Sequence, residues 1–247
     1  YIIYIMTFNI QWYNQINSTN EFIKEQIHEG KTPKNHTIIA TYDQTSGNGR
    51  FNRKWITEPN TNLCFSIYLE TNKKIDKIPS LTMAIALAVN GYLRNNNIMA
   101  QVKWPNDIIV NNKKICGILS EYINSPSSNA VIIGIGLNVN MSSKEASLIN
   151  QPATSMMIEN NSAYTLEKTL NNLCDHIKFW IKKWEIGEFN SFKDDWITNS
   201  KKIGESICIK DGSQVYDAKL KGYGDNGEII IDVKGNIKKI WSGELPL

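Results

Sequence analysis

The chain of 247 residues is long enough to bury a substantial core in one large domain, or in a medium one with a small appendage, without disulfide or metal staples. Hydrophobic residues at 41% and charged residues at 21% exclude the disordered and collagen-like classes. A net charge of +3 does not by itself signal a nucleic-acid partner, which shows as a dense local patch of Lys and Arg.

The apolar run from Tyr1 to Ile10 lacks a basic leader and a small-residue cleavage site, so it reads, through Trp12 and Tyr13, as a first strand. Ser18 or Thr19 is placed to cap a short helix with Phe22, Ile23 and Ile27 on one face and Gly30 as its stop. Two strands, in HTIIATYDQ and NLCFSIYLE, flank the polar loop TSGNGRFNRKW, and a helix apolar on nearly every side runs from Pro79 to Leu93. Three β-rich pieces follow, AQVKW, DIIV with KICGILSEYI, and AVIIGIGLNVN, with Pro105-Asn106-Asp107 and Asn111-Asn112 as turns. Helical periodicity spans Leu166 to Trp184, and a shorter helix is predicted from Phe189 to Thr198. After Lys202 come short strands with turns at Asp211-Gly212, Asp225-Asn226-Gly227 and Gly235-Asn236, the pattern of a small β-barrel. No stretch approaches the roughly 20 continuous apolar residues of a membrane span. The four cysteines, Cys64, Cys116, Cys174 and Cys208, form no CxxC pair and no metal cluster, so free thiols in a cytoplasmic setting are expected.

Three segments carry candidate chemistry. In residues 42–55, Gly47 and Gly49 allow close backbone approach, Arg50 and Arg53 offer forks for phosphate or carboxylate, and Trp55 offers a stacking face; a polar hairpin with solvated arginines is the alternative. In residues 102–119, Lys114 lies seven positions after Asp107, where an ammonium can reduce the repulsion between a carboxylate and the phosphate it attacks; taken alone, Lys114 beside Lys113 reads rather as a solvated hairpin lysine. In GIGLNVN, Gly134, Gly136, Asn138 and Asn140 alternate, so all four are expected on one strand face, either to admit a ligand or to pack tightly on a helix. His28, His36 and His176 lie outside these segments, which leaves chemistry by positioning and charge neutralisation.

In their order, STN, Q..SGNGR..RKW, VKWPND, KICGIL, GIGLNVN and a closing SGEL, these segments resemble the biotin protein ligases across nearly the whole chain. The resemblance implies an α+β fold: a mixed β-sheet catalytic domain packed with helices, of the class II synthetase-like biotin–lipoate ligase kind, over residues 1–200, and a C-terminal SH3-like β-barrel over 201–247. It implies that biotin carboxylate attacks the α-phosphate of ATP, with magnesium accompanying the nucleotide, and that a lysine of a biotin carboxyl carrier protein then takes the acyl group. Fewer than twenty residues precede Ser18, so a short form without a helix-turn-helix is expected, with no nucleic-acid or membrane partner, as a monomer or homodimer.

By matching positions, the resemblance implies that Ser18, Thr19, Asn20 and Gln44 line the biotin pocket, with Gly117 and Gly136 giving room. Lys114 is the implied principal catalytic residue, with Asp107 orienting it or deprotonating the carrier lysine. Gly47, Asn48, Gly49 and Arg50 close over biotin and its adenylate, Arg53 reaches the triphosphate, Trp55 covers adenine, and Asn106 and Asn138 bond nucleotide or metal-bound water; no metal ligands are assigned. The family's first loop commonly reads Gly-Arg-Gly-Arg, and Asn48 replaces the first arginine. A lipoate-protein ligase and a non-catalytic adenylate sensor are the competing readings.

Overall fold

The computed structural model describes residues 6–124, 129–201 and 203–245. In chain order the elements are β1 (Asn9–Tyr13), α1 (Thr19–His28), β2 (Thr37–Thr41), the two-residue strands β3 (Gly47–Asn48) and β4 (Lys54–Trp55), β5 (Leu63–Glu70), α2 (Ile78–Asn95), β6 (Gln101–Lys103), β7 (Asp107–Val110), β8 (Lys113–Ile123) and β9 (Ala130–Leu137). There follow α3 (Ser143–Ala146), α4 (Met156–Asn160), α5 (Leu166–Gly187), α6 (Lys193–Asn199), β10 (Ser206–Asp211), β11 (Gln214–Tyr223), β12 (Ile229–Val233) and β13 (Asn236–Ile240). The first strand therefore begins at Asn9, and residues 1–5 of the apolar run ahead of it lie outside the described residues.

A seven-stranded mixed sheet runs in the order β1-β2-β5-β9-β8-β7-β6, with β1 and β2 parallel and the other pairs antiparallel. Its two faces differ. Val131, Ile133 and Ile135 of β9 point into the main core, which they share with buried residues of α2 and α5. The alternate residues Ala130 and Ile132 join a second cluster with Ile23 of α1, Ile39 and Tyr68. Further along that second face, Gly134 and Gly136 leave the sheet bare, and this is where the cavity forms.

Local chemistry explains the element ends. The Ser18 hydroxyl accepts the Glu21 N–H at 3.5 Å and caps α1, and Gly30 follows the helix at φ 75°. Asn111 and Asn112 both adopt positive φ, 49° and 60°, in the two-residue turn joining β7 to β8. The predicted helix over 189–198 is two pieces, a 3-10 turn at Glu188–Ser191 and then α6. The C-terminal strands form a four-stranded antiparallel sheet, β10-β11-β12-β13, the small all-β unit read from the turn pattern. Its last turn is Lys234-Gly235, one residue earlier than expected, because Val233 pairs with Asn236.

Candidate active site

One cavity of about 980 Å³ collects nearly all the predicted site residues: every one except Gly47 and Asn138 lines it. Its floor is the glycine strip of the sheet, where Gly117 of β8 pairs with Gly136 of β9. One wall is the start of α1 with Gln44. The opposite wall is the Trp104–Asp107 turn with Lys114, the hairpin β3–β4 forms the roof, and Lys210, Glu244 and Leu245 reach the rim from the C-terminal unit.

A β-bulge places Lys114. Asp107 pairs with Gly117 and Ile108 with Cys116, but Ile109 pairs with Lys114, so Ile115 is the extra residue. Strict alternation from Gly117 would send Lys114 to the main-core face. The bulge instead lets Ile115 and Cys116 both bury there, and Lys114 joins Asp107 and Gly117 on the cavity side. Its ammonium lies 2.7 Å from Asp107 Oδ1 and 5.7 Å from the centroid of the Trp55 ring. Its backbone holds the next loop as well: Lys114 N–H donates to Pro152 O and Thr154 N–H donates to Lys114 O, each at 2.9 Å.

Lys103 sits on the other side of Asp107, at 3.8 Å, with a side chain only 9% exposed. Burial pushes its ammonium below the usual lysine range, against the opposing pull of Asp107. Arg50 is also driven down by burial and held up by Asp107 and Glu244; it donates to Asn106 Oδ1 and to Gly243 O, both at 3.1 Å, and to Ser242 Oγ at 3.2 Å. Three cations, Lys103, Lys114 and Arg50, thus surround one interior carboxylate, Asp107. The excess is positive and calls for an anion. Asn106 is a brace between the walls, because its amide also donates to Ile118 O at 2.7 Å.

At the other end, Gln44 Oε1 accepts the Thr19 backbone N–H at 2.9 Å, beside the Thr19 hydroxyl at 3.3 Å. Trp55 lies across the glycine floor: a Cβ on Gly136 would overlap the indole, and one on Gly117 would come within 3.2 Å of it. The space attributed to Gly117 and Gly136 is therefore filled in part by this ring. Asn48 sits at the mouth in register with Lys54, which also lines the cavity, so a cation remains beside the position where the family's first arginine is missing. Arg53 lies at the rim, paired with Glu244 at 2.5 Å.

Gly47 and Asn138 lie elsewhere. Gly47 belongs to the hairpin itself, paired with Trp55, where a Cβ would meet Gln44 Nε2 at 2.5 Å and Trp55 O at 2.7 Å. β9 ends at Leu137, so Asn138 and Asn140 do not continue the face of Gly134 and Gly136. Asn138 is buried, taking Ile115 O through its backbone N–H at 2.9 Å and Thr154 O through its amide at 3.0 Å; Asn140 bonds Tyr164. Both are braces for the loops after the strand. Residues Lys103 and 149–152 escaped the sequence reading. Lys103 was legible as the cross-strand partner of Asp107 over a short turn, whereas residues 149–152 carry no pattern that points to a ligand.

Among the described residues no group of three His, Cys, Asp or Glu side chains is placed to hold a metal ion, and both carboxylates lining the cavity, Asp107 and Glu244, are already paired with cations. No helix among them is long and apolar enough to cross a membrane. All four cysteines are free thiols, and burial raises Cys64 and Cys174 to about 12.

Residues 12–138 match the model of the biotin/lipoate A/B protein ligase family. The bifunctional ligase/repressor BirA of Bacillus spizizenii is 26% identical over 95% of this chain and 73% of its own length. The biotin--[acetyl-CoA-carboxylase] ligase of Paracoccus denitrificans is 27% identical over 78% of this chain and 82% of its own. Among solved structures, the biotin protein ligase of Aquifex aeolicus in complex with biotin and ATP superposes with a TM-score of 0.78 at 27% identity, covering 96% of this chain and 97% of that one. With its seven-stranded sheet, glycine-floored cavity and C-terminal four-stranded sheet, the chain belongs to the biotin/lipoate A/B protein ligase family, and it is a ligase.

Proposed function

We propose that the protein is an ATP-dependent biotin protein ligase that forms biotinyl-5'-adenylate and passes the acyl group to a lysine of a biotin carboxyl carrier protein. The observation that carries this reading is the Lys114–Asp107 pair at 2.7 Å beside a glycine floor, with the Thr19–Gln44 polar end across the same cavity. A small acid lying between them has its ring bonded at one end and its carboxylate at a cluster of net positive charge. In the first step a carboxylate oxygen attacks the α-phosphorus of ATP, forming a P–O bond while the bond to the leaving pyrophosphate breaks. Lys114 compensates both anions as they approach, and Lys103 and Arg50 keep the cavity attractive to phosphate. In the second step the neutral carrier amine attacks the acyl carbon and AMP leaves; Asp107 is the nearest carboxylate to take the proton lost by nitrogen.

Thr19 and Gln44 bond the ureido ring, Asn20 lies behind them, and Ser18 caps the helix that presents them. Gly49 and Asn48 belong to the roof, Arg53 stands at the entrance to the triphosphate, and Trp55 moves from the floor onto the bound ligand. Magnesium accompanies ATP through phosphates and water, since the carboxylates among the described lining residues, Asp107 and Glu244, are paired with cations. Free thiols support a reducing, cytoplasmic setting. The test is transfer: with biotin, ATP and a purified biotin carboxyl carrier domain, a single lysine of the carrier is expected to become biotinylated. A carrier left unmodified at saturating substrates contradicts the reading.

A further inference from the structure

Behind Thr19 runs a line of polar side chains that the adenylation chemistry does not use. Ser66 of β5 and Leu119 of β8 both pair with Gly134, which puts them on one sheet face, and Glu121 follows Leu119 on that face two residues on. The missing side chain at Gly134 lets Asn20 of α1 lie flat there. Asn20 is 5% exposed and Ser66 fully buried. Asn20 Nδ2 donates to Glu121 Oε2 at 2.6 Å, and Glu121 Oε1 accepts from Lys24 Nζ at 2.9 Å, which also reaches Glu21 at 2.5 Å. Ser66 Oγ lies 2.5 Å from Asn20 Oδ1 and 2.6 Å from Thr19 Oγ1.

Proton counting gives this line a direction. A carboxylate only accepts, so Glu121 turns the Asn20 NH₂ toward itself and leaves Oδ1 facing Ser66. Ser66 has one hydroxyl proton, and Oδ1 takes it. The 2.6 Å contact between the two hydroxyls is then a bond only if Thr19 donates and Ser66 accepts. Gln44 Oε1, the competing acceptor for the Thr19 proton, is farther away at 3.3 Å and already holds the Thr19 backbone N–H. Thr19 Oγ1 is left with lone pairs toward the cavity, ready to accept an N–H.

We propose that Glu121, braced by Lys24, is a positioning residue that sets the polarity of the Asn20–Ser66–Thr19 relay, so that the site selects an acid whose ring carries an N–H donor over one whose ring has none. This rests on the biotin ligase reading, in which the ureido ring supplies that donor; a dithiolane ring does not. A site built to bond a polar group leaves its own buried groups unpaired when the group is absent.

The test is a binding and kinetic cycle on the full chain. Glu121→Gln, which can turn either end of its amide to Asn20, is expected to raise the biotin Kd and KM about tenfold, the loss of roughly one hydrogen bond, with kcat and the KM for ATP changed less than about twofold. In a Thr19→Val background the same substitution is expected to add less than about twofold, because the group it orients is gone. Ser66→Ala, which cuts the relay without touching the ion pair, is expected to match Glu121→Gln. It also decides the matter if Glu121→Gln fails to fold. Unchanged biotin affinity in Ser66→Ala, or losses that multiply in the double variant, overturns the relay. If the parent protein itself does not bind biotin, the functional reading fails instead, and calorimetry with the parent distinguishes the two.

Discussion

Lys114 and Asp107 are seven residues apart in sequence and 2.7 Å apart in space because a two-residue asparagine turn and a one-residue bulge bring them to one face. At an effective dielectric of about 20, unit charges about 4 Å apart interact by about 4 kcal/mol, so the ammonium can offset much of the repulsion between a carboxylate and a phosphate that share this space. Lys114→Ala is expected to lower the rate of adenylate formation by at least about 100-fold while the biotin Kd changes by less than about threefold, as rapid-quench assays and calorimetry would measure. A residual rate near that of the parent removes Lys114 from the chemistry. The pair was legible as a motif, since VKWPND and KICGIL carry both residues. The bulge was not legible, because alternation alone puts Lys114 on the opposite face, and it takes the burial of both Ile115 and Cys116 to show the extra residue. Asn138 shows the opposite error: it continues the alternation of Gly134 and Gly136 in sequence, but the strand stops before it.

The element that separates the fold's structural side from its chemical side is β9. Its odd residues fill the core against α2 and α5, and its glycines leave a floor on which the β3–β4 hairpin rests. Gly136→Ala places a methyl where the Trp55 indole now lies, so the hairpin must lift; the KM for biotin is expected to rise at least about tenfold while the thermal midpoint moves by only a few degrees. An unchanged KM shows that the ring does not depend on this floor. On the structural side, Trp184 of α5 is fully buried and donates its indole N–H to Ser80 Oγ of α2 at 2.9 Å. Trp184→Ala is expected to cost about 3–5 kcal/mol in denaturant unfolding. A loss under about 1 kcal/mol implies that the helix pair carries little of the stability. The long helices and central strands were readable, α5 from its single apolar stripe, α2 from being apolar on nearly every side, and β2, β5 and β9 as apolar runs buried on both faces. The short α3 and α4, and the 149–152 stretch between them that lines the cavity, were not; these segments fold onto braces such as the Asn138–Thr154 bond that no local pattern announces.

Across the whole molecule, the roof of the cavity is tied to the C-terminal sheet. Arg50 bonds Gly243 O and Ser242 Oγ, and Arg53 pairs with Glu244, so the SGEL segment positions the two loop arginines. Both Arg53 and Glu244 are partly solvated, so the pair adds little to stability and acts mainly on where the loop sits. Glu244→Gln is expected to leave the unfolding midpoint within about two degrees of the parent and to raise the KM for ATP roughly threefold or more, with the KM for biotin less affected; an equal rise in both shows general loosening instead. The sequence separates the two β-rich regions by turn spacing, but a contact between residues nearly two hundred positions apart leaves no local trace. The proposed first half-reaction is the adenylation of biotin, and ATP–pyrophosphate exchange measures it without any carrier protein. Exchange that requires biotin, fails with lipoate and disappears in Lys114→Ala is the expected result. Exchange supported by lipoate and not by biotin, or none with either acid, contradicts it.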